Sequence, residues 1–309
     1  MKKIIILIPY YGKFPEWSNL FFETLKRNNT IDFYFFTDCE IEKYNASNIQ
    51  YKKISLENYI KLINTKLDFV FKTVNAYKLC DLRPLFGYIH NDIIRNYDFY
   101  GWSDMDILFG DIRQFYTDEI LKKYDVISSH AVRISGHFAL FRNTSKNINM
   151  YKKIYQWKDA LQKKEFVGID EHGLTNAYTL TVFDKINQKF KLNINNFITR
   201  FFSNLKKHKL YLKEQYTTPF TVIPWLDGSI NSNQPDTWYY KDGIITNKRD
   251  GDKSFIYLHF MNYKSSKWRH DGTKAPWDGK EKICFANVSD MKYGIIINNE
   301  EISCSCFWW

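Results

Sequence analysis

The feature that most restricts the fold is an alternation of short apolar runs with stretches of helical periodicity. Ile4-Ile5-Ile6-Leu7-Ile8-Pro9 is unbroken and β-branched, and Trp17, Leu20, Phe21, Thr24 and Leu25 then recur at the spacing of one helix face. Residues 31–38 read as a second strand ending on an acid, and residues 56–66 repeat the helical pattern. Strands that are apolar throughout and separated by amphipathic helices belong to a sheet covered on both faces. The expected class is therefore α/β with a mostly parallel sheet. Hydrophobic residues make up 44% of the chain and aromatics 18%, which excludes a disordered protein. With 13 Gly, 7 Pro and no repeat or linker-like stretch, the 309 residues are expected to form a single domain. Within it, residues 1–185 would make the sheet core and residues 186–309 a C-terminal helical and hairpin extension.

Residues 97–111, YDFYGWSDMDILFGD, form an aromatic run that stops on Asp104 and Asp106. In an extended segment residues i and i+2 point the same way, so both carboxylates can converge on one cation. Hard oxygen donors suit Mg²⁺ or Mn²⁺, and an ion held by one or two carboxylates shares its other positions with a substrate phosphate. Asp-x-Asp also reads as a strand end with solvated aspartates. A third reading is a phosphotransferase that forms an aspartyl-phosphate on Asp104, with Asp106 as acid.

Ligands of open parallel sheets gather at the carboxyl ends of strands, which brings Tyr10, Tyr11 and Asp38 to the expected site. Asp38 would bond a base or ribose, or else cap a turn. Lys78 and Arg83 stand near the start of a helix expected over Leu85, Phe86, Ile89, Ile93 and Ile94, where positive charge opposes the macrodipole unless an anion is present. They either contact donor phosphates or make a surface ion pair with Asp81. Ser135, Gly136 and His137 interrupt a strand with small polar groups that fit a hydroxylated ligand, or pack as core with one satisfied histidine. Residues 148–163 have the spacing of an amphipathic helix. After them, Asp170, Glu171 and His172 place three ionisable groups side by side, as a site or as a helix cap with exposed neighbours.

Residues 194–205 carry an apolar helical face followed by lysines, which suits either a membrane surface or packing on the domain itself. Asp242-Gly243 signals a hairpin. His259, at the end of another apolar strand, is a candidate third metal ligand, with Lys264 and Lys267 as cations for a diphosphate. The 44 Lys and Arg against 34 Asp and Glu give a net charge of +10, which attracts anions such as nucleotides, and no motif for nucleic-acid recognition accompanies it. Met1-Lys2-Lys3 and the following apolar run imitate a signal peptide, but Pro9-Tyr10-Tyr11-Gly12 cuts it short without a small-residue cleavage site. No run approaches the ~20 residues of a membrane span. Five cysteines without zinc spacing fit a reducing cytoplasm.

Together, these pieces resemble the GT-A glycosyltransferases, in particular retaining enzymes of the family 8 type, over most of residues 1–268. Asp104-Met105-Asp106 with the trailing Gly110-Asp111 resembles the family's metal motif. Ser135-Gly136-His137 is similar to its sugar-contacting strand, and Asp170-Glu171-His172 to its segment beside the anomeric carbon. His259, with Lys267-Trp268, is similar to its metal histidine and diphosphate lysine. Glu171 and His172 stand where the family has an amide and an acid, Lys78 stands where it has an arginine, and the His259 motif lacks its glycine and proline and is one residue longer.

A closer likeness, through Pro9-Tyr10-Tyr11-Gly12-Lys13-Phe14-Pro15, Tyr77-Lys78-Leu79-Cys80-Asp81 and Ile134-Ser135-Gly136-His137, is to bacterial proteins of polysaccharide loci. The resemblance implies a GT-A fold and a hexosyltransferase of capsule or lipopolysaccharide synthesis. Its donor would be a nucleotide-sugar, a UDP-sugar by the likeness, and its acceptor a glycan or lipid-linked glycan. It would be cytoplasmic, with peripheral contact at the inner face of the membrane as one reading of residues 194–209. A non-catalytic glycan-binding protein would share the same fold.

Overall fold

Ile4–Tyr10 forms β1, and its alternate residues divide between two cores. Ile5 and Leu7 pack on one face of the sheet with Tyr100 and Trp102, and Ile4, Ile6 and Ile8 pack on the other with Phe33, Phe35 and Phe99. Burial on both faces explains why the run is apolar at every position. The protein is seen in a computed structural model that describes residues 1–73, 75–180, 209–219, 228, 237–268, 272–278 and 288–304.

After β1, helix α1 (Ser18–Arg27) buries Leu20, Phe21, Phe22 and Leu25, with Lys26 and Arg27 in the last turn, where they complement the helix dipole. Strands β2 (Asp32–Thr37) and β3 (Ile49–Lys53) follow, then helix α2 (Leu56–Asn64), whose first turn is capped by Ser55. β4 (Phe99–Ser103), the short β5 (Ile107–Phe109), β6 (Val126–Ser128), β7 (Phe138–Arg142) and β8 (Leu210–Leu212) come next. The seven-stranded sheet has the order β3-β2-β1-β4-β7-β6-β8. Its pairings are parallel except for β4 with β7 and β6 with β7, so the protein is α/β with a mostly parallel sheet. Gly101 lets β4 and β7 approach, because a Cβ there would lie 2.2 Å from the Ala139 carbonyl oxygen.

A second, antiparallel sheet is built from β9 (Thr237–Lys241), β10 (Ile244–Asn247), β11 (Gly251–Phe255), β13 (Ile295–Asn298) and β14 (Ile302–Cys304), in the order β11-β10-β9-β13-β14. The expected hairpin turn is there, with Asp242 and Gly243 both at positive φ. Between these strands runs β12 (Tyr257–His259), which pairs antiparallel with β5 and sets His259 opposite Ile107. Residues 210–212 and 257–259 thus join strands of the core.

Three expectations change. Residues 148–163 are not one helix. A 3₁₀ turn at Met150–Lys153 and a helix at Trp157–Gln162 are separated by Gln156 at φ 49°, a conformation no α-helix continues through. The segment Ala76–Leu85, ahead of the short helix Phe86–Ile89, is itself a 3₁₀ helix, so Lys78 and Arg83 do not stand at an α-helix start. Cys304 is disulfide-bonded, so reduced cysteines are found at Cys39 and Cys80 but not there. Among the described residues no helix is long and apolar enough to cross a membrane. The basic aromatic stretch from 194 to 208 lies outside the described residues.

Candidate active site

β2 and β3 lie on one side of β1 and β4 on the other, so the strand order reverses between β1 and β4. A crevice opens beyond the carboxyl ends of two such neighbours. The crevice here is a cleft of about 430 Å³, lined among others by Tyr10, Tyr11, Trp17, Arg83 and Lys267. Asp104 and Asp106 stand at its floor. The turn between them is tied down by the Asp104 N–H on the His137 carbonyl (3.0 Å) and by the Trp17 indole N–H on the Met105 carbonyl (2.8 Å).

The β5–β12 pairing brings His259 across, with its Nε2 3.4 Å from Asp106 Oδ1. One donor atom from each of Asp104, Asp106 and His259 lies within 4.8 Å of the others. Apart from that approach to Asp106, the buried His259 Nε2 has no hydrogen-bond partner, which a purely structural histidine would not tolerate cheaply. Two carboxylates and one imidazole fit Mn²⁺ or Mg²⁺ by donor type.

The remaining charges divide around this centre. Lys264 Nζ lies 2.7 Å from Asp106 Oδ2, and burial of Asp106 is outweighed by Lys264 and His259, which hold its carboxyl well below the usual range. Arg83 reaches Asp104 with one nitrogen and Asp170 with the other, at 2.9 Å from Asp170 Oδ2. Burial raises Asp104 despite Arg83, with Asp106 adding to the effect. Arg83 thereby joins the cleft to an adjoining pocket of about 130 Å³ that holds Asp170 and Glu171. Burial pushes Asp170 up to about 7 against the opposing pull of Arg83, with Glu171 raising it further. Glu171 accepts the Gly136 N–H at 2.9 Å and faces Arg133 at 3.4 Å. A Cβ at Gly136 would meet Glu171 Oε1 at 2.9 Å, so the glycine permits this close approach.

Other expected residues sit elsewhere. Lys78 is fully buried, 2.8 Å from Asp81 and donating to the Ala160 carbonyl, so it faces neither phosphate nor solvent. Asp81 also accepts the N–H groups of Val167, Gly168 and Ile169, which makes the pair a clamp on the segment that carries Asp170. Ser135 is fully buried, where its hydroxyl accepts the Phe138 N–H, and it lines neither cavity. His172 is exposed and lines neither cavity. Asp38 holds the Gly12 N–H at 2.9 Å, a turn-capping contact, with an exposed side chain.

Tyr10 and Tyr11 line the cleft, and the Tyr11 hydroxyl is buried without a partner. Lys267 also lines it, with its ammonium 5.0 Å from the Tyr77 ring centre. His137 borders the smaller pocket, but both ring nitrogens are engaged within the protein, by His130 and Tyr257, so hydrogen bonds to a substrate would have to displace these. Burial, with His259 and His130 alongside, holds His137 well below the usual imidazole range. His130, Arg133 and Glu214 escaped the sequence reading because the contacts of His130 with Glu214 and of Arg133 with Glu171 join distant segments that no local spacing marks.

No curated protein matches the sequence. Solved structures similar to it include the galactosyltransferase LgtC in complex with donor and acceptor sugar analogs, at 10% identity over 90% of each chain with a TM-score of 0.42. Mouse xyloside xylosyltransferase 1 in its apo form is 7% identical over 71% of this chain and 88% of its own, with a TM-score of 0.34. The glycosyltransferase GlyE in Streptococcus pneumoniae TIGR4 is 10% identical over 69% of this chain and 45% of its own, with a TM-score of 0.29. The model of a family of unknown function, DUF6625, matches residues 6–289, and the chain belongs to that family.

Proposed function

We propose that this protein is a metal-dependent glycosyltransferase of GT-A type. It would move a sugar from a nucleotide diphosphate sugar, a UDP-sugar by sequence likeness, to a hydroxyl of a glycan acceptor in bacterial surface polysaccharide synthesis. The observation that carries this reading is the convergence of Asp104, Asp106 and His259 at the β1–β4 switch point, directly beside a pocket holding two further carboxylates. Asp104, Asp106 and His259 would hold Mn²⁺ or Mg²⁺, which supplies Lewis-acid stabilisation of the charge that develops on the departing diphosphate.

The chain's own residues would do the rest. Lys264 and Lys267, at the cleft wall, offer cationic contacts to the diphosphate, and Tyr10 and Tyr11 offer rings to the base. Arg83 contacts both Asp104 and Asp170, so one guanidinium would orient the group beside the donor's diphosphate and the group beside its anomeric carbon. Asp170 and Glu171 stand where they can stabilise an oxocarbenium-like centre or accept the acceptor's proton.

Thermal unfolding with Mn²⁺ and a panel of nucleotides tests the reading. A nucleotide at a hundredfold its dissociation constant adds ~2.7 kcal/mol to the folded state. The expected result is metal-dependent stabilisation by UDP that disappears in Asp104→Ala/Asp106→Ala. No shift with any nucleotide, in a protein that binds glycans without turnover or forms an aspartyl-phosphate, would replace this function with a binding or phosphotransfer role.

A further inference from the structure

The loop between β6 and β7 supplies two histidines, His130 and His137, both buried. His130 Nδ1 is 2.8 Å from Glu214 Oε1, His130 Nε2 is 3.1 Å from His137 Nε2, and His137 Nδ1 is 3.0 Å from the Tyr257 hydroxyl. The hydrogens of this chain can be assigned from one fixed end. A carboxylate at Glu214 only accepts, which puts a proton on His130 Nδ1, and the Arg133 donor facing Nε2 takes that second nitrogen as the acceptor. That nitrogen accepts from His137 Nε2–H and faces the Arg133 guanidinium at 3.4 Å. His137 Nδ1 is then the acceptor for Tyr257, whose oxygen in turn is within reach of the Ser129 hydroxyl. Every ring nitrogen has one role, and the His137 ring is pinned at both ends in its own plane.

That pinned ring lies flat against His259, with centroids 4.3 Å apart and planes 16° from parallel. Tyr257 and His259 are alternate residues of β12, so one strand face presents both the hydroxyl that locks His137 and the ring that His137 covers. The β5–β12 pairing fixes the His259 backbone but not its side-chain torsions. A flat wall on one side of the ring restricts those torsions to arrangements that keep Nε2 toward Asp106.

We infer that Glu214, His130, His137 and Tyr257 are positioning residues for the metal centre, which set the plane of His259 by presenting a locked ring against it. The inference rests on the metal reading above and names residues that act through His259 rather than on the ion. It also gives the Ser129-His130 and Gly136-His137 stretches a function that substrate contact does not supply.

The test is an Mn²⁺ titration of the full chain by electron paramagnetic resonance, alone and with UDP, read together with nitrogen hyperfine modulation from a coordinated imidazole. Denaturant unfolding of the metal-free variants is the control. Outer-sphere partners of metal histidines typically contribute 10–100-fold in affinity. His137→Ala is expected to weaken Mn²⁺ binding at least tenfold and to diminish the nitrogen signal. His137→Phe keeps the flat wall but loses the hydrogen bonds that lock it at both ends, so it is expected to fall between wild type and His137→Ala, a graded loss that a drop in general core stability would not predict.

Wild-type affinity in a folded His137→Ala, or equal weakening in both variants, overturns the inference. Should His137→Ala not fold, Glu214→Ala at the far end decides: a loss of about threefold or more supports the chain and a smaller change overturns it. A wild-type protein that binds Mn²⁺ without any nitrogen signal, or not at all, refutes the His259 metal centre and the inference with it.

Discussion

Lys78→Met isolates the buried clamp behind the carboxylate pocket. Lys78 and Asp81 are both fully buried, their charges 2.8 Å apart, and Lys78 also donates to the Ala160 carbonyl at 2.7 Å. Methionine replaces the stem at similar volume, so packing changes little and the loss is electrostatic. Breaking a buried pair by removing one partner typically costs about 3–5 kcal/mol, because an uncompensated charge stays behind. Asp81 retains three backbone N–H donors at 2.8–3.0 Å, which moderates the cost, while the Ala160 carbonyl loses its donor, worth about 1–3 kcal/mol. About 4 kcal/mol is therefore expected, read as a shift in urea midpoint at unchanged slope. Asp81→Asn alone should be costly too, whereas the double variant should lose at least about 1.5 kcal/mol less than the two singles combined. A Lys78→Met protein within about 1 kcal/mol of wild type, or strictly additive effects, would refute the account of a clamp.

Three further outcomes follow from the coordinates. Gly101→Ala places a methyl 2.2 Å from the Ala139 carbonyl oxygen and 2.7 Å from Leu140, so the central β4–β7 pair must part; a loss above ~4 kcal/mol or no soluble protein is expected, and a wild-type melting temperature would contradict it. Burial holds His90 down to about 3, so its neutral form is favoured in the folded state; its contribution is complete above pH ~6.5 and is lost as pH falls from there towards 3. The difference in unfolding free energy between wild type and His90→Phe should therefore move in the variant's favour by ~1.4 kcal/mol per pH unit below 6.5, and parallel curves would show that no such shift exists. Calorimetry should find Mn²⁺ binding at least ~fivefold tighter when UDP is present, and equal affinities would remove the coupling argued below.

What the sequence made legible was local. The run from Ile4 to Pro9 read as a strand buried on both faces, and Asp104-x-Asp106 marked a candidate cation site, one of three readings of that spacing, because two carboxylates there share a side. Where several readings of one spacing existed, only the tertiary fold decided. Lys78 and Asp81 are three residues apart, a separation that fits an exposed pair or a clamp equally well, and the carbonyl of Ala160 that completes the clamp lies 82 residues away. Ser135 and His137 likewise differ in surroundings although both were candidates for a sugar contact, since Ser135 turns into the core and His137 onto His259. The smooth apolar period over residues 148–163 gave no warning of Gln156 at positive φ.

The charges at the cleft floor bear on why metal and nucleotide should bind together. Arg83 and Lys264 already contact Asp104 and Asp106, so these four groups sum to no net charge when both acids are ionised. Burial raises Asp104, which makes full ionisation without a further cation costly. A divalent ion arriving alone would fix the charge of Asp104 but leave an excess of two positive charges in a cleft of low dielectric. A nucleotide diphosphate arriving alone would bring several negative charges to a floor where Arg83 and Lys264 are already engaged by the two carboxylates, with Lys267 at the cleft wall. Each ligand therefore removes the electrostatic penalty of the other, and by linkage the gain is the same in either order of binding. Arg83 extends the consequence to the second pocket. An ion that drew Asp104 towards itself would weaken its hold on the guanidinium and leave Arg83 more strongly directed to Asp170, which would favour the ionised form of that carboxyl.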